Sequence, residues 1–102
     1  WTITGVIIWT ITGEMKHQLK GHTEKVYSAS FSPNGALLAS ASDDKTVSIW
    51  TITGEMERQL FRHTNSVFSV TFSPDGTLLA SASSDKTVII WTITGEMKHQ
   101  LK

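Results

Sequence analysis

The sequence encodes an all-β chain built from repeated four-stranded antiparallel sheets. Three observations carry that reading. Trp9, Trp50 and Trp91 stand 41 residues apart, and aligning Thr10–Trp50 with Thr51–Trp91 needs no gap and gives 28 identities in 41 positions. Within each period the apolar residues alternate with small polar ones over stretches of five or six, the spacing of half-buried strands. Turn residues recur at the same offsets in both periods.

The elements follow in order. VYSASFS (Val26–Ser32) and VFSVTFS (Val67–Ser73) are rich in β-branched and aromatic residues and lead each repeat. SPNG and SPDG follow (Ser32–Gly35, Ser73–Gly76): proline fixes φ, and Asn-Gly or Asp-Gly supplies the left-handed position of a tight turn. LLASAS (Leu37–Ser42, Leu78–Ser83) gives the second strand, and SDDKT or SSDKT the next polar turn. VSIWTI and VIIWTI (Val47–Ile52, Val88–Ile93) give the third strand. After a Thr-Gly turn, EMERQL and EMKHQL (Glu55–Leu60, Glu96–Leu101) give the fourth. A helical period fits nowhere.

The rest of the chain is also repeat-derived. VIIWTITGEMKHQLK occurs at Val6–Lys20 and again, letter for letter, at Val88–Lys102, two periods later. Residues 1–5 (WTITG) fall out of register and read as a duplication scar. The expected organisation is this scar, a half-unit over residues 6–20 with third and fourth strands only, and full units over residues 26–61 and 67–102.

Composition narrows the function. With 39% apolar and 18% charged residues, the chain reads as globular rather than disordered. It has no cysteine, so neither a disulfide framework nor a thiolate zinc site is expected. Nine basic and nine acidic side chains cancel, and the Lys and Arg read as dispersed. Nucleic acid and anionic membrane are therefore not expected partners. The longest apolar run is four residues, against the roughly 20 that span a bilayer. With no secretion signal, the expected location is the cytoplasm. No cofactor is expected.

Four antiparallel strands every 41 residues is the spacing of a propeller blade. The chain resembles the WD-repeat β-propeller family in Gly21-His22, the FSPNG and FSPDG turns, LLASAS, the Asp before Lys-Thr, and the closing Ile-Trp. The resemblance spans residues 6–102. Two positions depart from the pattern: threonine (Thr10, Thr51, Thr92) follows the tryptophan where aspartate is usual, and Arg62-His63 replaces the second Gly-His. The resemblance implies inner-to-outer strand order within each blade and a ring of blades.

Ser, His and Asp recur together, which is also the composition of a hydrolase triad. Yet no G-x-S-x-G nucleophile elbow occurs. The resemblance instead implies a buried structural tetrad, in which the turn Asp bonds the His, the His the Ser, and the Ser the Trp indole. The two sets are His22, Ser40, Asp44, Trp50 and His63, Ser81, Asp85, Trp91. No catalytic residue is expected. His17 and His99 lack clustered ligands and read as solvent-facing, so no metal site is expected either.

The family's usual role implies a protein-interaction platform on the face where first strands begin. The matching rim residues are Glu24, Lys25, Tyr27, Asp43, Asn65, Ser66, Phe68 and Ser84, set against a plain reading as solvated loop. A second reading is an engineered or excised repeat fragment with no ligand of its own, favoured by the letter-perfect duplication. A hydrolase has only the triad composition behind it.

Each blade is apolar on both faces, so two blades leave end faces open. A few hundred Å² of exposed apolar surface per face costs several kcal/mol at about 25 cal/mol per Å². The expected remedy is a closed homo-oligomeric ring: four chains giving eight blades, or three giving six. The duplicated segment adds strand exchange, with Val6–Lys20 of one chain completing the last blade of another in place of residues 88–102.

Overall fold

A computed structural model describes the backbone of residues 5–9, 15–20 and 24–102, and the side chains of residues 24–102. Residues 1–4 of the expected scar over residues 1–5, His22 and the side chain of His17 lie outside the described residues. Among those described, all regular structure is β: β1 (Gly5–Trp9), β2 (Met15–Lys20), β3 (Val26–Phe31), β4 (Leu37–Ser42), β5 (Val47–Thr51), β6 (Met56–Leu60), β7 (Val67–Phe72), β8 (Leu78–Ser83), β9 (Val88–Thr92) and β10 (Met97–Leu101). β3-β4-β5-β6 form one antiparallel four-stranded sheet, and β7-β8-β9-β10 a second in the same order; β1 and β2 form a two-stranded sheet.

The strands end where turn chemistry takes over the backbone. Ser32 O accepts the Gly35 N–H at 2.9 Å, closing the turn over Pro33 and Asn34 with Gly35 at φ 74°. Asn34 Oδ1 accepts the Ser32 hydroxyl at 2.7 Å and the Ala36 N–H at 3.0 Å, an Asx turn that sets the next strand. Asp75 repeats this with a carboxylate. The Ser73 hydroxyl, the Thr77 N–H and the Thr77 hydroxyl donate to it, and its pKa falls to about 2.

Register assigns the faces. Ala39 pairs with Ile49 and Ala41 with Val47, so these four side chains share one face of the first sheet; Leu38, Ser40, Ser48 and Trp50 share the other. In the second sheet Ala80, Ala82, Val88 and Ile90 form the face equivalent to the first set, while Leu79, Ser81, Ile89 and Trp91 form the opposite face. The sheets meet through β7, which packs on β3 and β4. The core between them joins Ala39, Ala41, Val47 and Ile49 to Val67, Val70, Leu79, Ile89 and Trp91.

Identical sequence therefore meets two environments. LLASAS is buried from its second residue to its last in β4 but only at alternate positions in β8. Ala39, Ala41 and Val47 are 0% exposed and Ile49 1%. Their counterparts Ala80, Ala82, Val88 and Ile90 are all part-exposed. The opposite face of the first sheet is closed too, on the side where β1 approaches β3. Only the second sheet presents a bare apolar face among the described residues.

Ile49→Ala should lower stability by about 2–4 kcal/mol, because the methyl groups removed leave a cavity in a sealed core. In solutions dilute enough to hold single chains, Ile90→Ala should cost clearly less. Urea titration of both variants measures the difference.

Candidate functional site

The second sheet brings His63, Ser81, Asp85 and Trp91 together. Trp91 and Ser81 lie on adjacent strands of the face turned toward the first sheet, and the indole N–H donates to Ser81 Oγ at 2.9 Å. Ser81 Oγ lies 2.7 Å from His63 Nε2, and His63 Nδ1 lies 2.9 Å from Asp85 Oδ2. Hydrogen counting orders the chain. The serine oxygen already receives the indole proton, so its own O–H donates to Nε2, leaving Nδ1–H to donate to Asp85.

Asp85 collects more than the histidine. The Thr64 N–H reaches Oδ2 at 3.0 Å; the Thr87 N–H and hydroxyl both reach Oδ1. Burial opposes its charge most strongly, but the donors from Thr87, Thr64 and His63 together outweigh that and hold the carboxyl well below the usual range. The turn that carries Asp85 places Lys86 at φ 72° and Lys45 at φ 76° in the first sheet. Its backbone is tied by the Asp85 N–H, which donates to Ser83 Oγ at 3.1 Å. Thr87 and Thr64 were not singled out from sequence; the Asp-Lys-Thr spacing of the turn is the signal that marks Thr87.

In the first sheet Trp50 donates to Ser40 Oγ at 2.9 Å, matching the second. Asp44 takes the Thr46 N–H at 3.0 Å and the Thr46 hydroxyl. His22, the remaining member expected there, lies outside the described residues.

The Ser81–His63–Asp85 distances are those of a hydrolase triad, but the access is not. Ser81 is 0% exposed, and the His63 side chain 1%. Ser81 Oγ is already occupied by the indole, leaving no approach for a carbonyl carbon. The arrangement satisfies buried polar groups, and no buried side-chain nitrogen or oxygen among the described residues lacks a partner. His99 is exposed, and no group of His, Cys, Asp or Glu suited to a metal ion occurs among the described residues.

The eight rim residues converge at one end of the two sheets, where β3 and β7 begin. Asp43 Oδ1 accepts the Tyr27 hydroxyl at 3.3 Å and the Ser66 hydroxyl from the neighbouring sheet. The Asp43 N–H donates to Lys25 O at 2.9 Å, and the Ser84 N–H to Ser66 O at 3.0 Å. Glu24 O and Asn65 O accept the Ser42 and Ser83 hydroxyls. Tyr27 and Phe68 meet edge to face at 5.4 Å, with Lys25 Nζ 5.4 Å from the tyrosine ring. Both rings stay exposed, at 41% and 48%. That is an aromatic, amphipathic surface of the kind interfaces favour.

Asp85→Asn should lower stability by about 1–3 kcal/mol at neutral pH, since an amide presents a donor where Thr64, Thr87 and His63 all donate. Because the folded carboxyl is depressed, its contribution is complete above about pH 4 and is lost as the pH falls below that. Chemical denaturation at pH 7 and at stepwise lower pH should show the gap between wild type and variant closing in acid.

Comparison with known proteins agrees with the geometry. The WD domain, G-beta repeat family matches residues 13–51 and 54–92. Over 42 residues the chain is 48% identical to the meiotic recombination protein rec14 of Schizosaccharomyces pombe, and over 44 residues 46% identical to the ubiquitin homeostasis protein lub1 of the same yeast. It is 49% identical over 39 residues to protein Mut11 of Chlamydomonas reinhardtii. These stretches cover 41%, 42% and 38% of the chain but only 14%, 6% and 10% of the relatives' lengths. Repeats of this type mediate protein–protein interaction. With both of its repeats matched, the chain belongs to the WD domain, G-beta repeat family.

Proposed function

We propose that this chain is a non-enzymatic protein-interaction module whose first partner is another copy of itself. One observation carries the reading. The face formed by Ala39, Ala41, Val47 and Ile49 is sealed by the next sheet of the repeat, whereas its near-identical counterpart, Ala80, Ala82, Val88 and Ile90, stands part-exposed. A shallow apolar depression of about 150 Å³ lies on that face, lined among others by Thr71, Leu78, Ala80 and Ile90. A surface that matches one sheet of this repeat will accept another sheet of the same repeat. The contact is head to tail, so it propagates until rotation closes a ring.

Four chains would place eight full blades in the ring, and three would place six. The identity of Val6–Lys20 with Val88–Lys102 lets a neighbour's β1–β2 stand where β9–β10 stand, so exchange of these strands is the route to closure we favour. Both pairs form the same antiparallel ladder, including a register shift beside the tryptophan–methionine pair. The rim around Tyr27 and Phe68 then repeats around the ring as a surface for further proteins.

Light scattering coupled to size-exclusion chromatography should give the mass of a tetramer, with a trimer as the other closed solution. Ile90→Asp, which puts a charge on the bare face, should reduce that mass toward one chain. A monodisperse monomer of the unmodified chain would overturn the proposal.

A further inference from the structure

A second cleft lies at the end of β10, between the link that leads into β7 and the turn that joins β8 to β9. It measures about 550 Å³ and is lined by Arg62, Thr64, Asp85, Lys86, Gln100 and Lys102, with Thr87 completing it. Read along the chain, its cations look dispersed; the fold collects three of them. Among the described residues none of the three makes an ion pair, the one such pair there being His63–Asp85. Asp85, the carboxylate in the lining, already accepts four donors from Thr64, Thr87 and His63.

The positive charge is a property of the second repeat. At the 41-residue offset Arg62 stands where the first repeat has Gly21, and Lys102 where it has Phe61. A third exchange alters the amide. In the first sheet Gln59 Nε2 donates to Thr46 Oγ1 at 3.4 Å and to Ser48 Oγ at 3.3 Å. Ile89 takes the place of Ser48 in the second sheet, and Gln100 lines the cleft with no side-chain hydrogen bond among the described residues. Three substitutions thus converge on one cleft, two adding charge and one releasing a donor.

We propose that this cleft binds a multiply charged phosphoryl oxyanion of the diphosphate class. Arg62 offers a planar fork suited to two oxygens of one phosphoryl group, while Lys86 and Lys102 supply point charges. The cleft falls in the range of about 300–1,000 Å³ typical of small-ligand sites. A single carboxylate would leave cations uncompensated, and an apolar ligand would strip water from three charges at once. Strand exchange preserves the site, because Gln18 and Lys20 occupy the same places in the duplicated segment as Gln100 and Lys102.

Calorimetric titration of the whole chain with sodium pyrophosphate at low ionic strength tests this. One pyrophosphate should bind per chain, at least about tenfold more tightly than inorganic phosphate or acetate. Arg62→Gln, and the double change Lys20→Gln with Lys102→Gln, should each weaken it by about tenfold or more. Added sodium chloride should weaken it further. Lys25→Gln, at the rim, should leave the affinity unchanged. Absence of saturable binding, equal affinity for all three anions, or equal weakening by Lys25→Gln would overturn the proposal. Circular dichroism of the variants checks that each remains folded.

Discussion

Every level of this structure depends on one constraint: its sheets are apolar on both faces. A sheet with one wet face can end a fold, because its polar side chains meet the solvent. Here Ala39, Ala41, Val47 and Ile49 form one face while Leu38 and Trp50 form part of the other, and both are sealed in the first sheet. Small residues on the second strand let the next sheet come close, and the valines and isoleucines of the third fill the space between. Stacking is therefore the natural end of the sequence pattern, and the second sheet shows where stacking stops short.

The buried hydrogen-bond chain from Trp91 through Ser81 and His63 to Asp85 works within that constraint. An indole facing the neighbouring sheet brings an N–H into an apolar space, where an unpaired donor would be costly. The chain conducts that need outward to a carboxylate at the turn, which two threonines also hold. The same three side chains would pass for a hydrolase triad by distance alone. Burial of the serine and its engagement with the indole separate the two roles, so accessibility rather than composition decides the chemistry.

Much of this was legible in the sequence because period-two alternation and Ser-Pro-Asx-Gly turns are local signals. The strand cores follow the reading closely, and the first and third strands of each sheet end a residue early, at Ser32, Ile52, Ser73 and Ile93, whose N–H groups donate to Leu37 O, Ala36 O, Leu78 O and Thr77 O beside the turns. Lys45 and Lys86 were not legible: both adopt a left-handed conformation at a position where glycine or asparagine would be the usual sign. Their turns are fastened instead by the Asp-Thr bonds that follow.

What escaped the sequence was which end face would stay open and how equivalent positions of the two repeats would meet. LLASAS reads the same twice, yet β4 is sealed and β8 half open, because burial belongs to the neighbour and not to the segment. Tyr27 and Phe68 occupy equivalent positions in successive repeats, and only the stacking of sheets turns them into a contact. Arg62, Lys86 and Lys102 likewise converge only once the sheet is folded.

The chain has no cysteine, so a single thiol can report on the bare face directly. Ala80→Cys should react freely with a thiol reagent in dilute solution and become protected as chain concentration rises, while Ala39→Cys stays protected throughout. Fast labelling of Ala80→Cys at every concentration, in chains whose fold is intact, would contradict the claim that this face is built to be covered.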